Sequence, residues 1–258
     1  MRLHVQDSGA GPDSCLVFLH AFPLNHTLWD AQSRWARAHF RVIAYDHRGH
    51  GQSETGSGQY AFESFVDDLF AVLDERGIKK TILCGLSMGG YVALRAVERA
   101  PERVQALVLC DTRSEADGNE AKLKRAATVK IIQDQGVPVF CEGFLKSALA
   151  PEAWAGNTAV LDHVRGMILQ NSPAGITGAV LALAGRTDTT ESLSRIRVPT
   201  LILVGEQDVI TPPAAAQALQ QKITGARLAV IPKAGHFSNL ENPDAFNGPF
   251  QEFLKSII

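Results

Sequence analysis

Short apolar runs recur along the chain: "CLVFLH" at 15–20, "RVIAYD" at 41–46, "TILCG" at 81–85, "VQALVLCD" at 104–111, "PTLILVGE" at 199–206 and "RLAVIP" at 227–232. Several are apolar at every position rather than at alternate ones, which is the pattern of strands covered on both faces of a parallel sheet. Between most of them the period lengthens to that of a helix. Phe62, Phe65, Val66, Leu69, Val72 and Leu73 share one helical face, and Gly77 ends the run. Strand alternating with helix predicts an α/β fold built on a mostly parallel, doubly wound sheet. "RLHVQDSG" at 2–9 adds an antiparallel edge strand or hairpin.

The alternation stops between "LCDT" and "RVPTLILVGE". The intervening stretch, residues 114–195, is far longer than an ordinary connection and carries helical patterns only. Four helices are predicted there, in "EAKLKRAATVKIIQ", "PVFCEGFLKSAL", "AVLDHVRGMILQ" and "GITGAVLALAG". No repeat, low-complexity tract or linker sets this segment apart. The chain therefore reads as one domain, 1–258, with a helical cap inserted at 114–195.

Composition narrows the partners. A chain of 258 residues that is 45% hydrophobic has enough apolar material for a large core, so disorder is excluded. A net charge of -2 with no basic cluster lacks the footprint of a nucleic-acid binder. No apolar run approaches membrane-spanning length, and the first residues lack the basic start and apolar stretch of an export signal, so a cytoplasmic protein is expected. Cys15, Cys84, Cys110 and Cys141 show no paired spacing and read as reduced core residues. Neither a metal-ligand pattern nor a dinucleotide fingerprint is present, so no metal or cofactor is expected. The expected partner is a small molecule, bound by a monomer or small homo-oligomer.

One turn carries chemistry. "TILCGLSMGG" runs a strand straight into a helix with Ser87 at the apex. A turn this sharp forces its apex residue toward a strained backbone and needs small neighbours, which Gly85 and Gly89 supply. The apex side chain then stands at the carboxyl end of the sheet, beside the unpartnered amides that open the helix. A serine hydroxyl is a weak nucleophile at neutral pH. It needs a general base, and the base needs an acid to fix its tautomer. "LILVGEQDVITPP" places Asp208 just past one strand, and "LAVIPKAGHFSNLENP" places His236 past the next. The chain order Ser, Asp, His suits a hydrolase rather than either common protease order.

Taken together, "HAFPLNHTLW", "RVIAYDHRGHGQS", "GLSMGG", "VGEQDVITPP" and "AGHFSNLENP" resemble the α/β-hydrolase-fold serine hydrolases over the chain outside the cap. The "LCDTR" and "EAK" features are similar to those of small carboxylesterases and the 3-oxoadipate enol-lactonase-like branch. The resemblance implies a catalytic triad of Ser87, Asp208 and His236, with an oxyanion hole formed by the backbone N–H groups of Phe22 and Met88. Where the family usually has His-Gly, this chain has His20-Ala21.

Other residues read differently. His20 orders the oxyanion loop, and His47 and His50 belong to a structural turn. His4, His26, His39 and His163 carry no signal. Asp111 is the rival acid, because it ends the preceding strand; with Arg113 it is expected to anchor the start of the cap. Trp29, Trp35 and Trp154 are packing residues, and Phe22, Met88 and apolar cap residues are candidates to line an acyl pocket. The activity these residues imply is hydrolysis of short- to medium-chain carboxylic esters through an acyl-serine. Enol-lactone hydrolysis and perhydrolase or cofactor-free haloperoxidase chemistry are alternatives on the same triad. A non-catalytic ligand-binding receptor is the alternative of a different class. Dehalogenases and epoxide hydrolases of this fold use an aspartate nucleophile, which Ser87 disfavours.

Overall fold

All six apolar runs form strands, joined by a short one near the N-terminus. They are β1 (Val5–Asp7), β2 (Cys15–Leu19), β3 (Arg41–Tyr45), β4 (Thr81–Leu86), β5 (Val104–Cys110), β6 (Thr200–Gly205) and β7 (Arg227–Ile231). The computed structural model describes residues 1–9, 14–156 and 158–257. Ile258, the last residue of the expected domain, and Asn157, within the expected cap, lie outside the described residues.

The seven strands make one sheet in the order β1-β3-β2-β4-β5-β6-β7. The edge strand β1 runs antiparallel to β3, pairing Val5 with Tyr45, and every other neighbouring pair is parallel. β2, β4 and β6 are buried at every position, as their unbroken apolar runs require. β7 departs from this: Arg227 and Val230 are exposed, because it closes the sheet with a neighbour on one side only. The strand order turns in opposite directions from β2, to β3 on one side and β4 on the other. Ligands of open α/β sheets bind outside the carboxyl ends of strands at such a switch point.

The core helices are α1 (Asp30–Ala36), α2 (Phe62–Glu75) and α3 (Met88–Arg99) on the first half of the chain. α2 buries the face read from its spacing, including Phe65, Val66, Leu69, Val72 and Leu73. Each such side chain contributes roughly 1.5–3 kcal/mol on leaving water. Gly77 follows with φ +64°, a left-handed value that stops the helix.

Between β5 and β6 the described residues hold helices and no strand: α4 (Asn119–Gln135), α5 (Val137–Ala148), α6 (Pro151–Gly156), α7 (Thr158–Leu169) and α8 (Pro173–Ala184). That is one helix more than the periodicity predicts. The missed one is α6, six residues long, which is too short to show a period. The chain leaves α5 at Leu149 in an extended conformation and restarts at Pro151, whose fixed φ suits a first helical position. α9 (Pro213–Lys222), α10 (Ser238–Glu241) and α11 (Pro243–Lys255) complete the chain. No single helix among the described residues is long and apolar enough to cross a membrane.

Both ends of the helical segment leave and re-enter the core side by side, and polar groups sew them together. Thr189 N–H donates to the Ser114 carbonyl at 3.1 Å, and Ser114 Oγ lies 2.9 Å from Thr190 Oγ1. Arg186 pairs with Asp117 at 2.6 Å, with both side chains almost wholly buried, and Arg125 takes the other Asp117 oxygen at 3.0 Å. The Arg186 guanidinium also lies 4.3 Å from the centre of the Tyr91 ring on α3, which ties the neck to the helix that follows Ser87.

Candidate active site

The turn from β4 into α3 is as sharp as the glycine spacing requires. A Cβ at Gly85 would overlap the Gly89 carbonyl, and one at Gly89 would overlap the Leu19 carbonyl. Ser87 sits between them at φ +53°, ψ -110°, a conformation that strains a residue bearing a Cβ. The surroundings hold it there. Its N–H donates to the Cys110 carbonyl at 2.9 Å, and its own carbonyl accepts from Thr112 Oγ1 at 3.0 Å and Tyr91 N–H at 3.0 Å. The Ser87 side chain is buried and its hydroxyl has no hydrogen-bond partner among the described residues.

Two strands further along the sheet, Asp208 follows β6. Its Oδ1 accepts from Ile210 N–H at 2.8 Å and Thr211 N–H at 3.0 Å. Oδ2 accepts from Thr211 Oγ1 at 2.6 Å and from His236 Nδ1, after β7, at 2.8 Å. Burial pushes this carboxyl up, but the His236 charge and hydrogen bond, with those from Thr211, outweigh burial and hold its pKa below the ordinary value. An ionised acceptor fixes the proton of His236 on Nδ1. Nε2 is then the basic nitrogen, and it carries no hydrogen bond among the described residues.

Asp111 ends β5, between these two positions, and is equally buried. Its carboxylate does not reach His236. Oδ1 accepts from Gly205 N–H at 2.7 Å and Oδ2 from Ser238 Oγ at 2.5 Å. Burial and the nearby Asp208 charge push it well above the ordinary carboxylate value. Asp111 thus ties β5 to β6 and α10 rather than anchoring the start of the cap, and that expectation is corrected. Arg113 likewise reaches the Ile210 carbonyl of the Asp208 loop, at 3.3 Å. The neck belongs to Ser114, Asp117 and Arg186, whose pairing spans about seventy positions and leaves no local pattern in the sequence.

The loop after β2 is organised by His20. Its Nε2 accepts from His47 N–H at 2.8 Å, so the proton lies on Nδ1, which donates to the Ala21 carbonyl at 2.9 Å. The same carbonyl accepts from Leu24 N–H at 2.8 Å. With both bonds made, the plane of the Ala21–Phe22 peptide is fixed, and the Phe22 N–H points away from them. Neither Phe22 N–H nor Met88 N–H, at the start of α3, donates a hydrogen bond among the described residues. Ala21 keeps a negative φ, so a Cβ in place of the family's usual glycine adds no backbone strain.

Below this loop the three rings of His20, His47 and His50 pack together, with centroids 4.4 Å and 5.4 Å from that of His20. Burial lowers all three pKa values, to about 3 for His47 and about 4 for His50. His4, His26 and Asp46 also converge, with one ligand atom each within 4.8 Å of the others. His26 and Asp46 are already hydrogen-bonded: His26 bonds Asp46 at 2.7 Å and Gln6 at 2.9 Å, and Asp46 Oδ2 accepts from Gln52 N–H at 2.8 Å.

Side chains of α5 pack against both the loop after β2 and the His236 loop. The Phe22 ring meets Phe140 and Phe144 of α5, each with centroids 6.1 Å apart. Phe144 in turn meets Phe237, the residue after His236, at 6.2 Å. This aromatic bridge from the loop after β2 to the His236 loop was missed in the sequence. The spacing of Phe140 and Phe144, one helical turn apart, marked a shared face but not what the face would cover.

Residues 15–243 match the family model described as alpha/beta hydrolase fold. The chain is similar to 3-oxoadipate enol-lactonase 2 of Acinetobacter baylyi, 29% identical over 99% of this chain and 94% of the relative. It is also similar to a pimeloyl-(acyl-carrier protein) methyl ester esterase of Nitrosomonas europaea, at 30% identity over 95% of this chain and 96% of that protein. Among solved structures it resembles a thermophilic esterase from Thermogutta terrifontis, with a TM-score of 0.93 and 34% identity, covering 99% of this chain and 93% of the esterase.

Proposed function

The chain belongs to the α/β hydrolase fold family, and from that premise we propose that it is a serine carboxylesterase acting on short- to medium-chain acyl esters. Ser87 Oγ attacks the ester carbonyl carbon while His236 Nε2 takes the hydroxyl proton. Asp208 holds the tautomer and stabilises the imidazolium. The carbonyl oxygen becomes an oxyanion that accepts from the Phe22 and Met88 N–H groups. Collapse breaks the C–O bond to the alcohol, which leaves with the proton held by His236, and the acyl group stays on Ser87. Water then repeats the sequence: His236 removes its proton as the hydroxide adds to the acyl carbon, and collapse breaks the bond from that carbon to Ser87 Oγ, which takes back the proton from His236 as the carboxylic acid leaves.

The observation that carries this reading is the 2.8 Å Asp208–His236 bond, which presents an unpaired imidazole nitrogen at the same end of the sheet as the unpaired hydroxyl of a strained serine. The enzyme is read as cytoplasmic and active on a small-molecule ester, as a monomer or small homo-oligomer, without metal or cofactor. Enol-lactone hydrolysis is the second reading, favoured by the similarity to an enol-lactonase over nearly the whole chain. A lactone would open by the same steps, its leaving oxygen remaining tethered to the acyl group.

The test is labelling by a fluorophosphonate, followed by turnover of nitrophenyl esters and an enol-lactone. The wild-type protein should label on Ser87, and Ser87→Ala should neither label nor turn over above roughly a thousandth of the parent rate. Near-parental turnover in Ser87→Ala would remove the serine from the mechanism. A large advantage in kcat/KM for the lactone would promote the second reading.

A further inference from the structure

The loop that carries His236 is held by a carboxylate outside the proposed triad. Two successive amides, those of His236 and Phe237, are both engaged. Phe237 N–H donates to Glu241 Oε1 at 3.0 Å. The neighbouring His236 N–H donates to the Ala148 carbonyl, at the end of α5, at 2.7 Å. Two residues on, Ala150 N–H donates to Glu241 Oε2 at 2.7 Å. One carboxylate therefore grips the histidine loop at the residue next to the imidazole. It also grips the α5–α6 turn, whose carbonyl holds the histidine itself.

The two backbones are in direct contact, since a Cβ at Gly235 would overlap the Ala148 carbonyl and the Ala150 nitrogen. Glu241 has no Lys or Arg partner among the described residues. A partly buried carboxylate without a cation is costly unless hydrogen bonds compensate it, and here two backbone donors, one on each oxygen, do so. Burial raises its pKa above the ordinary value, and the amides oppose that rise. A carboxylate suits this place because both its oxygens accept. A glutamine would turn a donor against one of the N–H groups.

We propose that Glu241 is a positioning residue for His236, fixing the loop that carries the imidazole and joining that loop to cap residues 148–150. The proposal rests on the serine-esterase reading above. Glu241 touches neither the nucleophile nor the ester carbonyl; it acts through the histidine.

The test compares wild type, Glu241→Gln and Glu241→Ala for thermal midpoint, active-site titre, kcat and KM on a nitrophenyl ester, and rate of fluorophosphonate labelling. Glu241→Gln should lower kcat per titrated site and the labelling rate together, by roughly ten- to a hundredfold, with KM nearly unchanged. Glu241→Ala should lower both further. Unchanged kcat per titrated site, with only the titre or the midpoint reduced, would assign Glu241 a general structural role and overturn the proposal. Wild type that fails to label would instead sink the esterase reading, so the two failures are distinguishable. Hydrogen exchange on the wild-type protein provides a measure independent of the variants. The amides of Ala150 and Phe237 should be protected and open as one unit, and exchange of Ala150 independently of Phe237 would contradict the coupling.

Discussion

His236 Nδ1 donates to Asp208 Oδ2 at 2.8 Å, while Asp111, equally buried one strand nearer Ser87, spends its carboxylate on Gly205 N–H and the Ser238 hydroxyl. Only one of two candidate acids can therefore fix the tautomer. Asp208→Asn should cost roughly a thousandfold or more in kcat, because an amide facing Nδ1 no longer selects the Nδ1–H form. Asp111→Asn should retain most activity, since its carbonyl still accepts from Gly205 and its NH2 group can donate to Ser238. The reverse ranking in steady-state kinetics would move the acid to Asp111.

Phe22, Phe140, Phe144 and Phe237 form a chain of ring contacts from the loop after β2 to the His236 loop, and we propose that it closes the acyl side of the site. Each methylene that fits adds about 0.8 kcal/mol of burial, until the next must displace packed rings. kcat/KM across nitrophenyl esters should therefore rise and then fall, with acyl chains from acetyl to hexanoyl cleaved well. Phe144→Ala should move the optimum longer by about two carbons, at some loss on the shortest chains. A wild-type profile still rising at long chains would defeat the enclosed pocket.

Acid should weaken the fold through the histidine cluster. His47 and His50 have native pKa values of about 3 and about 4, lowered chiefly by burial, against 6.5 for the free side chain. The neutral forms are favoured in the native state, so their contribution is fully present above pH 6.5. It is lost progressively as pH falls toward about 4, because the unfolded chain binds protons that the native chain refuses. Both ring nitrogens of His47 are buried without partners, so His47→Phe removes the titration at no cost in hydrogen bonds. Thermal midpoints at about pH 7.5 and pH 4.5 should differ less in His47→Phe than in wild type. An equal or larger drop would contradict the assignment.

The neck should be vulnerable at Asp117. Its carboxylate neutralises Arg186, whose side chain is 2% exposed, and removing it leaves a buried guanidinium uncompensated. Asp117→Ala should cost about 3–5 kcal/mol in chemical denaturation. A loss near that of a surface ion pair, below about 1 kcal/mol, would show that Arg186 finds water instead.

The strands, their parallel arrangement, the turn at Ser87 and the order Ser87, Asp208, His236 were legible in the chain because each depends on neighbours in sequence. Unbroken apolar runs encode burial on both faces, and Gly85 and Gly89 encode a close approach within four residues of each other. α6 was not legible, because six residues are too few to display a period.

What the sequence by itself determined was the layered sheet and the stations along its carboxyl edge where a hydroxyl, two acids and an imidazole would stand. Only the tertiary structure decided which acid meets the imidazole, since Asp111 and Asp208 both follow apolar strands, and the choice depends on where the β7 loop folds back. It alone joined Asp117 to Arg186, Phe22 to Phe144, and Glu241 to Ala150 across the cap. Those contacts link residues from about 70 to 120 positions apart. At that separation the pairing is set by how the helices pack on the sheet, and no local periodicity records it.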